Sequence, residues 1–139
     1  LTPNVTNIVD IAKAVESEGA DCVSLINTLL GMRIDTRTRR PILHNNVGGL
    51  SGPAIFPVAV RMVWQVANAV NIDVVGMGGI ATANDAIEMM LAGAKAIQIG
   101  TAIFNDPYAP IKVIDGIEEY MTANKIDSLS EIVGKVQPW

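Results

Sequence analysis

Gly93-Ala94-Lys95-Ala96-Ile97-Gln98-Ile99-Gly100-Thr101 decides how this chain folds. Gly93 follows an apolar-periodic segment and suits the left-handed residue that ends a helix. The 96–100 run is short, β-branched and bounded by small residues, so it reads as a strand that opens into a polar turn. Gly19-Ala20-Asp21-Cys22-Val23-Ser24-Leu25 repeats that plan, with Ile26-Asn27-Thr28 as its polar exit. A third run, Ile72-Asp73-Val74-Val75-Gly76, ends in Met77-Gly78-Gly79. Three strands are therefore expected at 22–26, 72–76 and 96–100.

Helical patterns fill the intervals. Ile8, Ile11, Ala12 and Val15 give one apolar stripe over 6–18, and Val60, Val63, Trp64 and Ala67 give another over 56–70, where Pro57 is tolerable only in the first turn. Thr82 and Asp85 form a capping-box pattern before a helix that runs to Ala92. Asp106-Pro107 is expected to open a helix reaching about Lys125, and Ser128 with Glu131 to cap a last short one. Strands alternating with helices imply parallel pairing through right-handed crossovers.

In the repeated strands Ser24 and Gln98 share one face, and Val23, Leu25, Ile97 and Ile99 the other. An open parallel sheet covered on both sides would be apolar on both faces. A face carrying Ser and Gln fits the lumen of a barrel near a ligand. A closed (β/α)₈ barrel takes eight strands and about 250 residues. The expected fold is thus the C-terminal portion of a TIM barrel, about three parallel strands with flanking helices. Residues 1–139 then form the back half of one domain, and Leu1-Thr2-Pro3-Asn4 the exit from an earlier strand.

The chain has 139 residues, 50% of them hydrophobic, with 10 Lys+Arg against 14 Asp+Glu and a net charge of −4. That balance argues against a nucleic-acid binder, which needs clustered cations for phosphates. One Cys leaves neither a disulfide framework nor a Cys-based zinc site and suits a reducing cytosol. The longest apolar stretch, 54–70, is interrupted by Pro57, Arg61 and Gln65 and is not expected to span a bilayer.

Ligands of parallel α/β folds gather at the C-terminal ends of strands. Gly78-Gly79 and Gly100-Thr101 form two small, donor-rich turns there, related as the loops that share one phosphate after the last two strands of a barrel. The competing reading makes the glycines simple tight turns. Asn27 and Thr28 offer donors and acceptors to a polar planar ligand, or else satisfy their own backbone. The long connection 29–53 carries Arg33, Arg37, Arg39 and Arg40 as a solvated, partner-facing loop and ends in Gly48-Gly49-Leu50-Ser51-Gly52-Pro53. His44 stands alone there and is read as structural, and Cys22 as a small buried hydrophobe. No nucleophile–base set, carboxylate pair or metal-ligand cluster is evident.

Leu1-Thr2-Pro3-Asn4-Val5, Ile26-Asn27-Thr28, Gly48-Gly49-Leu50-Ser51-Gly52-Pro53, Gly76-Met77-Gly78-Gly79-Ile80 and Gly93-Ala94 through Gly100-Thr101 together resemble dihydroorotate dehydrogenase, most of all its class 1B catalytic subunit. The resemblance covers essentially the whole chain. It implies an FMN-dependent (β/α)₈ barrel oxidising dihydroorotate to orotate in pyrimidine (UMP) synthesis. By matching positions, it implies Asn27 and Thr28 as orotate ligands. Ile26 and Gly52 would line the flavin, and Gly78, Gly79, Gly100 and Thr101 would hold the FMN phosphate through backbone amides. It further implies a cytoplasmic homodimer and a partner subunit carrying FAD and a 2Fe-2S cluster that passes electrons to NAD. The class's catalytic Cys and a flavin-contacting Lys would lie upstream of Leu1, so no catalytic residue is expected within this chain, which alone is expected to be inactive. Two other readings are another FMN barrel, such as a dihydropyrimidine dehydrogenase, and a non-catalytic phosphate-binding half-barrel module.

Overall fold

The computed structural model describes residues 1–139. Three parallel strands, β1 (Cys22–Leu25), β6 (Asp73–Met77) and β7 (Ala96–Gln98), make one sheet in the order β1-β6-β7. Ser24 pairs with Val75 and Val75 with Ala96, while Leu25, Gly76 and Ile97 form the next row. Because strand order follows chain order, successive right-handed crossovers place their helices on one side.

That side is the core. Val23, Leu25 and Val74 are buried, and a Cβ on Gly76 would lie 2.5 Å from Met89 Cγ, so the sheet meets its helices without clearance. The helices concerned are α1 (Ile8–Ser17), α2 (Phe56–Ala67), α3 (Ala83–Leu91) and α5 (Ala109–Asn124), with the short α4 (Ala102–Asn105) after β7. The opposite face carries Ser24, Val75, Met77, Ala96 and Gln98, none of them buried, and no element covers it. Ser24 and Gln98 do share this face, as alternation required.

Local chemistry sets the helix ends. Asn7 Oδ1 accepts from Val9 N–H to start α1. Both halves of the Thr82–Asp85 capping box form, as do both halves of the Ser128–Glu131 box on a 3₁₀ turn at Leu129–Glu131. Gly19 and Gly93 adopt φ of +91° and +120° just beyond α1 and α3. The final carbonyls of α3 accept from the C-terminal tail, Gly134 N–H to Met90 and Val136 N–H to Leu91.

The structure corrects several expectations. The helix expected from Asp106-Pro107 begins at Ala109, with Pro110 in its first turn. Asp106 precedes a proline, which disfavours helical backbone, and it is extended at φ −143°. The connection 29–53 contains two antiparallel pairs, β2 (Leu29–Gly31) with β5 (Gly48–Leu50) and β3 (Ile34–Asp35) with β4 (Arg40–Pro41). Cys22 is exposed, not buried. Its parity matches Ser24, so it falls on the uncovered face of an edge strand.

Candidate functional site

Two adjoining cavities open at the C-terminal ends of the three parallel strands. The larger, about 490 Å³, takes Ile26, Asn27 and Thr28 from the end of β1, Met77, Gly78 and Gly79 from β6, and Gln98 to Thr101 from β7. Ser51 and Ile55, on the approach to α2, complete it. The smaller, about 150 Å³, is lined by Gly52 and Pro53, by Gly79 to Ala81, by Gly100 to Ala102, and by Asn105, Asp106 and Ala109. Gly79, Gly100 and Thr101 belong to both. All eight residues singled out in the sequence therefore converge: seven on the larger cavity and Gly52 on the smaller.

Glycine makes this approach possible. Gly78 and Gly79 hold φ of +121° and +80°, backbone that side-chain-bearing residues rarely adopt. A Cβ on Gly79 would stand 2.7 Å from the Gly52 carbonyl oxygen and 3.0 Å from Phe56 N. The chain after β6 thus packs directly on the turn that enters α2. A Cβ on Gly100 would meet nothing, since that side opens to the cavity. The main-chain N–H groups of Gly78, Gly79, Gly100 and Thr101 donate to no other group of the chain. Four neutral donors where the two cavities join, with the Thr101 hydroxyl beside them, suit a phosphate.

At the β1 end, Ile26 is buried and its N–H donates to the Met77 carbonyl at 2.8 Å, tying the exits of β1 and β6 together. The Leu25–Ile26 peptide is cis. Asn27 Oδ1 accepts from Thr28 N–H at 2.8 Å, which leaves the two amide protons of Asn27 free. The wall therefore presents donors from Asn27 and a hydroxyl from Thr28, a set suited to carbonyl and carboxylate oxygens.

The larger cavity is lined by no ionisable side chain. In the smaller one only Asp106 is charged. Lys112, whose ammonium donates to it at 2.7 Å, and the Tyr108 N–H hold its carboxyl below the usual range. What the cavities offer is binding and orientation, with no proton acceptor in the larger. No cluster of three His, Cys, Asp or Glu is placed to hold a metal ion. Arg33, Arg37, Arg39, Arg40 and His44 are exposed on the 29–53 excursion and line neither cavity.

Sequence reasoning missed Ser51, Ile55, Met77, Ile99 and the Asn105–Asp106 wall. Met77 and Ser51 adjoin predicted residues, and the alternation of its strand marks Gln98 by its face. Asn105 and Asp106 gave no signal, because only the break between α4 and α5 turns them toward the site.

The profile of the family described as Dihydroorotate dehydrogenase matches residues 1–121. The chain is 62% identical over 136 residues to the "Dihydroorotate dehydrogenase B (NAD(+)), catalytic subunit" of Alkaliphilus oremlandii, covering 98% of this chain and 45% of that protein. It is 60% identical over 137 residues to the protein of the same name from Bacteroides fragilis, covering 99% and 45%. Against that of Desulforamulus reducens the identity is 58% over 134 residues, covering 96% and 44%. The chain spans about half the length of these relatives, and it belongs to the dihydroorotate dehydrogenase family.

Proposed function

We propose that this chain is the C-terminal half of an FMN-binding (β/α)₈ barrel that oxidises dihydroorotate to orotate in pyrimidine synthesis. One observation carries the reading. Residues from separate segments meet at the C-terminal ends of three parallel strands, where free backbone donors and a donor-rich polar pair border two joined cavities. The barrel is supported by a sheet with all its helices on one side, its other face bare, and by relatives of about twice the length. Leu1 also bonds along the free edge of β1, its carbonyl accepting from Asn27 N–H at 3.1 Å.

Within that reading the FMN phosphate sits where the two cavities join, on the N–H groups of Gly78, Gly79, Gly100 and Thr101. Ile26 and Gly52 line the flavin, and Asn27 and Thr28 hold the orotate ring by hydrogen bonds. The bound flavin supplies a two-electron acceptor for the hydride that dihydroorotate loses. This chain's residues fix the substrate's plane and keep its anionic groups on donors. They do not take the accompanying proton, since no ionisable group lines the larger cavity. A base supplied from the preceding half contributes about 10²–10⁴-fold, so the isolated half is inactive.

The relatives' names speak of NAD(+) and of a catalytic subunit. By extension, electrons leave through a second subunit carrying FAD and a 2Fe-2S cluster, and the catalytic subunit is a cytoplasmic homodimer. No helix is long and apolar enough to cross a membrane. The test is anaerobic addition of dihydroorotate to the purified whole protein. Bleaching of a bound flavin with release of orotate supports the reading. Turnover of dihydrouracil in preference would select a dihydropyrimidine enzyme, and FMN binding without turnover a non-catalytic module.

A further inference from the structure

We propose that Asn4 is a positioning residue for the site, setting where Asn27 and Thr28 present their side chains. The inference rests on the reading of those two residues as substrate ligands.

Asn4 lies in the segment between Leu1 and α1, outside both cavities. Its carboxamide grips the chain leaving β1 at two points. Nδ2 donates to the Thr28 carbonyl at 2.8 Å, and Oδ1 accepts from Leu30 N–H at 2.9 Å. A neighbouring strand bonds a residue in this way, through the carbonyl before it and the N–H after it. The Asn4 side chain thus stands in for a peptide group beside Leu29, at the point where β1 has ended and β2 begins. The carboxamide is itself oriented, because Thr2 Oγ1 accepts from Nδ2 at 3.0 Å and from Asn4 N–H at 3.2 Å.

The grip leaves Thr28 little freedom. Its carbonyl is taken by Asn4 and its N–H by Asn27 Oδ1. Its side chain lies against Gly49 of β5, where a Cβ would come within 2.4 Å of Thr28 Oγ1. What remains unbonded among the side-chain groups of the pair is the Thr28 hydroxyl and the Asn27 amide donors, and both residues line the larger cavity. Only a carboxamide of this length both donates to one main-chain group and accepts from another across this span. An aspartate would keep the Leu30 bond and repel the Thr28 carbonyl.

The test uses the flavin-loaded whole protein and the variants Asn4→Ala and Asn4→Asp. Losing two hydrogen bonds of ordinary strength at a preorganised site corresponds to about tenfold. Asn4→Ala is expected to raise KM for dihydroorotate and Kd for orotate, read from the flavin spectrum, by about that factor, and Asn4→Asp, which keeps the Leu30 bond, by less. Flavin content and melting temperature should stay near those of the unmodified protein, and kcat should fall less than KM rises. Independently of activity, amide hydrogen exchange at Leu30 should quicken in Asn4→Ala and less so in Asn4→Asp. Unchanged KM and orotate Kd, or a loss of flavin and fold in parallel with affinity, would overturn the inference. If the unmodified protein showed no response to dihydroorotate or orotate, the reading of the site would fall, and the inference with it.

Discussion

Gly79 and Gly52 touch backbone to backbone: a Cβ on Gly79 would sit 2.7 Å from the Gly52 carbonyl oxygen. Two segments far apart in sequence, the exit of β6 and the turn into α2, are thereby fused into one wall. Gly79→Val both clashes there and is strained at φ +80°. It is expected to abolish FMN retention in the whole protein, measured as flavin absorbance per chain. Undiminished flavin would remove the phosphate assignment.

Asn27→Ala removes two free donors at the larger cavity and leaves the glycine turns alone. Turnover of dihydroorotate should fall while the flavin stays bound. Steady-state kinetics beside flavin content separates the two, and equal loss of both would count against a role at the substrate.

Asp106 gives the wall of the smaller cavity a pH dependence. The Lys112 ammonium and then the Tyr108 N–H lower its carboxyl from the ordinary value of 3.8. A carboxylate depressed in the folded state stabilises above its unfolded value, and that contribution is lost as pH falls through the lower folded value. Asp106→Asn is therefore expected to be less stable than the unmodified protein at pH 7. The gap should close below about pH 3.8, and high salt should narrow it because the pair is solvent-accessible. Urea midpoints across pH check this; a gap that widens in acid would contradict it.

Stability should follow packing more than capping. Leu25 is fully buried between the sheet and its helices, so Leu25→Ala is expected to cost about 2–5 kcal/mol. Thr82→Ala removes one half of the α3 capping box and should cost about 1 kcal/mol. Chemical denaturation of both variants orders them, and the reverse order would refute this view of the core.

Much of this was legible in the sequence. Short β-branched runs bounded by small residues mark the three parallel strands, and 3.6-residue apolar stripes mark α1 and α2, which bury one face and leave the other open. The capping pairs Thr82–Asp85 and Ser128–Glu131 were readable because their bonds are local. Gly78-Gly79 and Gly100-Thr101 stood out because few residue types suit a close turn at a strand end. The small strands within 29–53 were hidden, since Leu30, Ile34 and Leu50 are exposed and leave no alternating burial signal. Cys22 is exposed although composition alone marks it as a small hydrophobe, because its parity with Ser24 sets it on the uncovered face. The grip of Asn4 on Thr28 and Leu30 is long-range and leaves no trace in spacing.

On the proposed function, the joined cavities take FMN and dihydroorotate. The most direct measurement is the anaerobic flavin spectrum of the whole purified protein, before and after one equivalent of dihydroorotate. About one FMN per chain, bleached by dihydroorotate and unaffected by dihydrouracil, is the expected result. A flavin-free protein, or a bound flavin that dihydroorotate leaves oxidised, would contradict it.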